Sequence, residues 1–325
     1  DAEERHQREV LSLVGRRWAG VLDLQATRNG TARLLAIAEQ SRDSRTKALA
    51  ASSTVALLSS SRDADDTAAL ETIATSLLST STDPYDQLHL LHAHAWATAC
   101  LEGSEAALAP LYAGVALIQQ FGIANSLGTR MLLATGITLC QTGAYKEAIP
   151  LIEQAHSIAS KLDNPVFQSN AAAGLALASG RLGLHAQQVE WARTSLAKAP
   201  TGDWGVCVLS AGYELGVGLA MLGRYEETLA ALVEIEGRFR GDKPIWLDQA
   251  WSLIRADVYA LLGEIKQAEG WAFHATNGKN SALLDDSFAG PYSRWLAALS
   301  RNDEARRDRA IASTSALIAR RKRLD

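Results

Sequence analysis

A chain of 325 residues with 47% apolar side chains can bury an extensive core, and a net charge of -4 argues against a surface built to grip nucleic acid. Three cysteines, at 100, 140 and 207, are too few and too scattered for a disulfide framework, which fits a reducing cytoplasm. No apolar run reaches the roughly 18 residues of a membrane span, and no signal-peptide pattern opens the chain.

Ala and Leu dominate and β-branched residues are few, so helix is favoured throughout. The chain opens on Asp1 rather than Met, already inside a helical pattern, and is expected to be a piece of a longer protein. Residues 3–27 carry Val10, Leu11, Val14, Trp18, Val21 and Leu22 at helical spacing and read as one helix. It is expected to end at Arg28-Asn29-Gly30, a turn signal, with Thr31 capping a short helix to about Gln40.

From there a period takes over. Gly103, Gly143, Gly183, Gly223 and Gly263 stand 40 residues apart, and the series extends to the turn-formers Asp63 and Asp303. With 24 glycines in the whole chain, such a row marks an array of repeats rather than chance. First helices are expected near 44, 84, 124, 164, 204, 244 and 284. Asp83-Pro84, Asn164-Pro165 and Lys243-Pro244 supply start signals there. Each first helix runs to the Gly or Asp turn, and a second helix fills the rest.

Superposed at this period, the repeats show columns of small residues. Three before the turn stand Ser60, Cys100, Cys140, Gly180, Ala220, Ala260 and Ser300; seven before it stand Ala56, Trp96, Gly136, Ala176, Gly216, Ala256 and Leu296. Small side chains let neighbouring helices approach, so Cys100 and Cys140 are expected as packing residues. Pro110 and Pro150, also 40 apart, fall early in second helices. The expected fold is all-α: an α-solenoid of antiparallel helix pairs, about sixteen helices in 7–8 repeats. It forms one repeat domain over 1–325, with a shorter N-terminal repeat at 1–43 and 40-residue repeats over 44–322.

The chain carries no phosphate-binding loop, nucleophile elbow or zinc-protease motif, so no enzyme activity and no cofactor are expected. His89 and His92 share a helix face and could begin a metal site, but no Cys-x-x-Cys lies nearby in sequence, and no metal is expected. The acidic pairs Asp65-Asp66 and Asp285-Asp286 suit helix starts. The basic end, Arg306, Arg307, Arg309 and Arg320-Arg321-Lys322-Arg323, reads as a solvated last helix or linker. Most of the eight Trp fall at core spacing.

The repeat pattern resembles the tetratricopeptide repeat. Gly136, Leu139, Gly143, Tyr145, Ala148 and Ala155 match it, as do Leu215, Gly216, Gly223, Tyr225 and Leu232, and Ala256, Tyr259, Gly263, Ala268 and Ala272. The unit is 40 residues rather than 34, and this longer form is similar to the sensor region of MalT-like bacterial regulators. The resemblance implies a right-handed superhelix whose first helices line a concave groove. It also implies a non-enzymatic, cytoplasmic sensor for a small molecule or peptide within a bacterial signalling or transcriptional regulator, with no direct contact to nucleic acid or membrane. A free-standing adaptor for protein partners is the alternative, and self-association is possible in either. The family's register then selects Arg130, Gln141, Asn170, Arg181, Tyr213 and Asp257 as groove residues, with Trp251 and His92 beside them. Arg130, Gln141, Asn170 and Arg181 come from two adjacent repeats and can converge on a patch suited to an anionic or hydroxyl-rich partner.

Overall fold

The computed structural model describes residues 2–18, 24–61, 63–199, 206–237 and 245–276. Every regular element among them is a helix. The first four are α1 (Ala2–Trp18), α2 (Leu24–Gln40), α3 (Ser44–Ser61) and α4 (Ala64–Leu78). Then come α5 (Pro84–Leu101), α6 (Leu108–Phe121), α7 (Ser126–Gln141), α8 (Tyr145–Lys161) and α9 (Pro165–Arg181). The remainder are α10 (His185–Lys198), α11 (Val206–Met221), α12 (Tyr225–Gly237), α13 (Ile245–Leu261) and α14 (Ile265–Thr276). Six of the expected first helices therefore begin at Ser44, Pro84, Ser126, Pro165, Val206 and Ile245. The readings at 284, Asp303 and the basic residues from Arg306 onward lie outside the described residues.

Local chemistry fixes the helix ends. Gly103, Gly143, Gly183, Gly223 and Gly263 all have positive φ, between 73° and 106°, a conformation that strains any residue with a Cβ. At Gly143 the Ala144 N–H donates to the Leu139 carbonyl (2.9 Å) and the Gly143 N–H to that of Cys140 (3.3 Å), closing the last turn. The same pair of bonds recurs at Gly223 and Gly263. Asp63 does a different job: its backbone is extended and its carboxylate accepts the N–H groups of Asp65 and Asp66, capping α4. Asp83 and Asn164 cap α5 and α9, each with Pro in the first helical turn. Asn125 caps α7 in the same way.

The chain divides into two compact units. The first comprises residues 1–182 with 197–203, the second 183–196 with 204–325. In the first unit helices pack on their chain neighbours (α7 on α8, α8 on α9, α4 on α5) and each first helix also packs on the next one, α3 on α5, α5 on α7 and α7 on α9. In the second unit α11 packs on α12, α13 on α14, and α11 on α13. Contacts run between neighbours along the array, as expected of a repeat solenoid. Two glycines of the column seven before the turn lie at such crossings. A Cβ on Gly136 would stand 2.3 Å from Ile152 Cγ1, and one on Gly216 would stand 3.3 Å from Leu232 Cδ2.

The N-terminal reading needs correction. Residues 3–27 are not one helix, and the chain does not turn at Arg28-Asn29-Gly30: α2 runs straight through it. Gly30 is buried, where a Cβ would come within 3.2 Å of Leu57 and 3.4 Å of Leu13. It serves close approach between helices rather than a turn. The Asn29 side chain accepts a bond from Gln25 within the helix, and Thr31 is no cap, since its hydroxyl bonds back to the Thr27 carbonyl. Tertiary burial overrides the local turn signal. A second correction concerns the cysteines: Cys140 is buried as expected, whereas Cys100 is exposed.

Candidate functional site

Within the first unit a cavity of about 710 Å³ opens between α5 and α7. His92, Ala95, Trp96, Ala99 and Cys100 line it from α5, and Ala134, Ile137, Thr138 and Gln141 from α7. Thr67 and Leu111 contribute from α4 and α6, and Ser104 from the loop between α5 and α6. The same helical periodicity that builds the core builds this wall. Ala134, Ile137 and Gln141 recur at three- and four-residue steps and so fall on one face of α7. Small alanines at the α5–α7 crossing keep the space open. At the end near the turn, Ser104 Oγ donates to Gln141 Oε1 at 2.9 Å.

At the opposite end His92 lines the cavity, and Arg130 and His89 lie one turn beyond the lining. Arg130 stands one turn before Ala134 on the same face of α7, and His89 one turn before His92 on α5. Arg130 is half-buried and makes no hydrogen bond or ion pair with another described residue. Burial alone lowers its pKa from the usual guanidinium value. Burial first, and then the charge of Arg130, push His92 down to about 3 and His89 down to about 4. Both imidazoles are therefore neutral near neutral pH. His92 is 9% exposed and its Nδ1 lies 3.5 Å from Ser52 Oγ on α3. The Nδ1 of His89 is buried with no hydrogen-bond partner among the described residues. The buried acid one turn before His89 does not balance this charge. Asp86, 3% exposed, is committed to Arg45 (3.0 Å) and Ser44 (2.9 Å).

Of the six residues expected in the groove and the two beside them, Gln141 and His92 line this cavity and Arg130 extends the same face of α7. Asn170 is half-buried on α9 and Arg181 is exposed at its end; both lie outside the cavity's lining. The other three belong to the second unit. Tyr213 is half-buried on α11. Trp251 is a core residue rather than a groove contact: it is 0% exposed, with its ring so close to Gly212 that a Cβ there would stand 3.0 Å from it. Asp257 is half-buried on α13, its Oδ1 has no partner among the described residues, and burial pushes its pKa up to about 7. The motif register did not select His89, Trp96 or Ser104. The signal was nevertheless available: at the 40-residue period, His89 falls one position out of step with Arg130 on the neighbouring first helix. Among the described residues no group of three or more His, Cys, Asp or Glu is placed to hold a metal ion. No described helix is long and apolar enough to cross a membrane.

No protein-family model matches the chain, and no curated protein matches it. Solved structures do. A Rap protein complexed with competence and sporulation factor superposes with a TM-score of 0.65 at 13% identity, over 99% of this chain and 90% of that one. NprR in complex with its cognate peptide NprX gives 0.61 at 13% identity, over 96% and 89%. A tetratricopeptide repeat protein from Parabacteroides merdae gives 0.52 at 14% identity, over 90% and 99%. At such identities the likeness is one of fold, and the fold is the tetratricopeptide-like helical repeat.

Proposed function

We propose that this chain is a non-enzymatic, peptide-sensing repeat domain of a bacterial signalling or transcriptional regulator, and that the α5–α7 cavity of its first unit holds the peptide. The observation that carries the reading is the cavity itself. Its volume is in the range of small-ligand sites, and its walls mix apolar side chains with the polar groups of Thr67, His92, Ser104, Thr138 and Gln141. Of the similar folds, NprR was solved with its cognate peptide and a Rap protein with competence and sporulation factor, which supports a peptide over other small molecules. Arg130 and Gln141 are the contacts proposed from the expected set.

Affinity selection with a random heptapeptide library, read by mass spectrometry, tests this. The wild-type protein should retain a defined subset of peptides, and Ala134→Trp, which fills the cavity from its wall, should lose them while keeping its helical content. A wild type that retains no peptide would sink the reading. Equal retention by the two proteins would move the site out of this cavity.

A further inference from the structure

We propose that Arg130, His89 and His92 form an anion subsite at one end of the α5–α7 cavity, and that it accepts a carboxylate carried by the bound peptide. The proposal rests on the peptide reading above and names the chemistry that the site selects.

Three observations converge. A guanidinium withdrawn from water is expensive unless an opposite charge meets it, and structures normally supply one. Among the described residues none meets Arg130, while other partly buried arginines of this chain are paired: Arg255 with Glu236 at 2.5 Å, and Arg33 with Glu9 at 2.7 Å. Asp86, the buried acid on α5 one turn before His89, is taken by Arg45 and Ser44. The two imidazoles beside Arg130 are neutral, so each carries one N–H that can donate and one nitrogen that can accept. His89 keeps a buried ring nitrogen without a partner. His92 lines the cavity directly, and Arg130 lies on the face of α7 that carries the lining residues Ala134, Ile137 and Gln141. A carboxylate there would take a bidentate bond from the guanidinium and a further N–H from an imidazole. It would give Arg130 the counter-charge that the described residues do not provide. The cavity beyond carries an apolar wall of Ala95, Trp96, Ala99, Ala134 and Ile137, which suits the aliphatic part of the same peptide.

The carboxylate can come from an Asp or Glu side chain or from the peptide's C-terminus. Three heptapeptide pools separate these sources: one N-acetylated and C-amidated without Asp or Glu, one identical but with a single Asp, and one with a free C-terminal carboxylate. Each is offered to the wild type, Arg130→Gln and Arg130→Lys. One or both anionic pools should bind the wild type about tenfold or more tightly than the neutral pool, the scale of charged hydrogen bonds. The pool that gains identifies the source. Arg130→Gln should abolish that preference, so that anionic and neutral pools are held alike, and Arg130→Lys should keep part of it. Unfolding curves of the variants exclude a folding defect. Neutral and anionic pools held equally, or a preference that survives in Arg130→Gln, would overturn the subsite and leave the peptide reading standing. No pool retained at all would overturn both.

Discussion

His92 and Asp257 are buried against their charge in opposite senses, and each makes stability depend on pH in its own direction. The His92 pKa falls from an ordinary 6.5 to about 3. Between those values the unfolded chain holds a proton that the folded chain does not, so stability rises with pH across the window and is lost on acidification. Desolvation dominates the shift and the charge of Arg130 adds to it. Urea midpoints of His92→Gln should therefore fall less steeply than wild type between pH 6.5 and about 4. A parallel slope would show that His92 does not hold the neutral state. For Asp257 the sign reverses. Its pKa rises from 3.8 to about 7, so the folded state binds more protons between those values and stability falls as pH climbs through them. Asp257→Asn should raise the urea midpoint at pH 8 and change it little at pH 4; no gain at pH 8 would contradict the burial of a charged carboxylate. Neither effect could be read from residue type alone, since a histidine or an aspartate on a first helix carries no mark of its desolvation.

At the scale of the helix pair, two glycines seven residues apart do different work. Gly143 ends α7 at φ 88°, with nothing within 4 Å of where a Cβ would be. Substituting Ala there adds only backbone strain, about 1 kcal/mol or a little more. A Cβ on Gly136, inside α7, would stand 2.3 Å from Ile152, which is wholly buried. Gly136→Ala must push a packed side chain aside, at about 1–3 kcal/mol by overpacking. Chemical denaturation of the two variants should rank Gly136→Ala as the more damaging. The reverse order would mean that the crossing relaxes freely. The helix starts follow a similarly local logic: Asp83→Ala removes the cap of Tyr85 and Asp86 and should cost about 1 kcal/mol. Caps and turn glycines were legible in the sequence because a cap is a one-residue chemical demand. Gly30 was misread because its residue type is equally suited to a turn and to a tight helix crossing, and only the position of Leu57 and Leu13 decides between them.

Along the first unit α3, α5 and α7 each contact the helix that follows them and the next first helix, so damage should spread to neighbours and fade with distance. Hydrogen exchange of Gly136→Ala should show lost protection in α7, α8 and α9, while α2 and α3 keep theirs. Uniform loss across residues 24–181 would mean that the unit opens as one cooperative body instead.

The sequence by itself determined the period, the helix pairing and the turns. These depend on local backbone geometry and on a neighbour that recurs every 40 residues, so the same demand is written repeatedly and can be read from its repetition. Only the tertiary structure decided the cavity, the company of Arg130 and the burial of Trp251. Those depend on which side chains from different helices share a space and how much water remains around them. Arg130 was picked out by register, but that no described residue pairs with it, while Asp86 on the neighbouring first helix is held by Arg45 and Ser44, follows from partnerships between repeats that no spacing along the chain records.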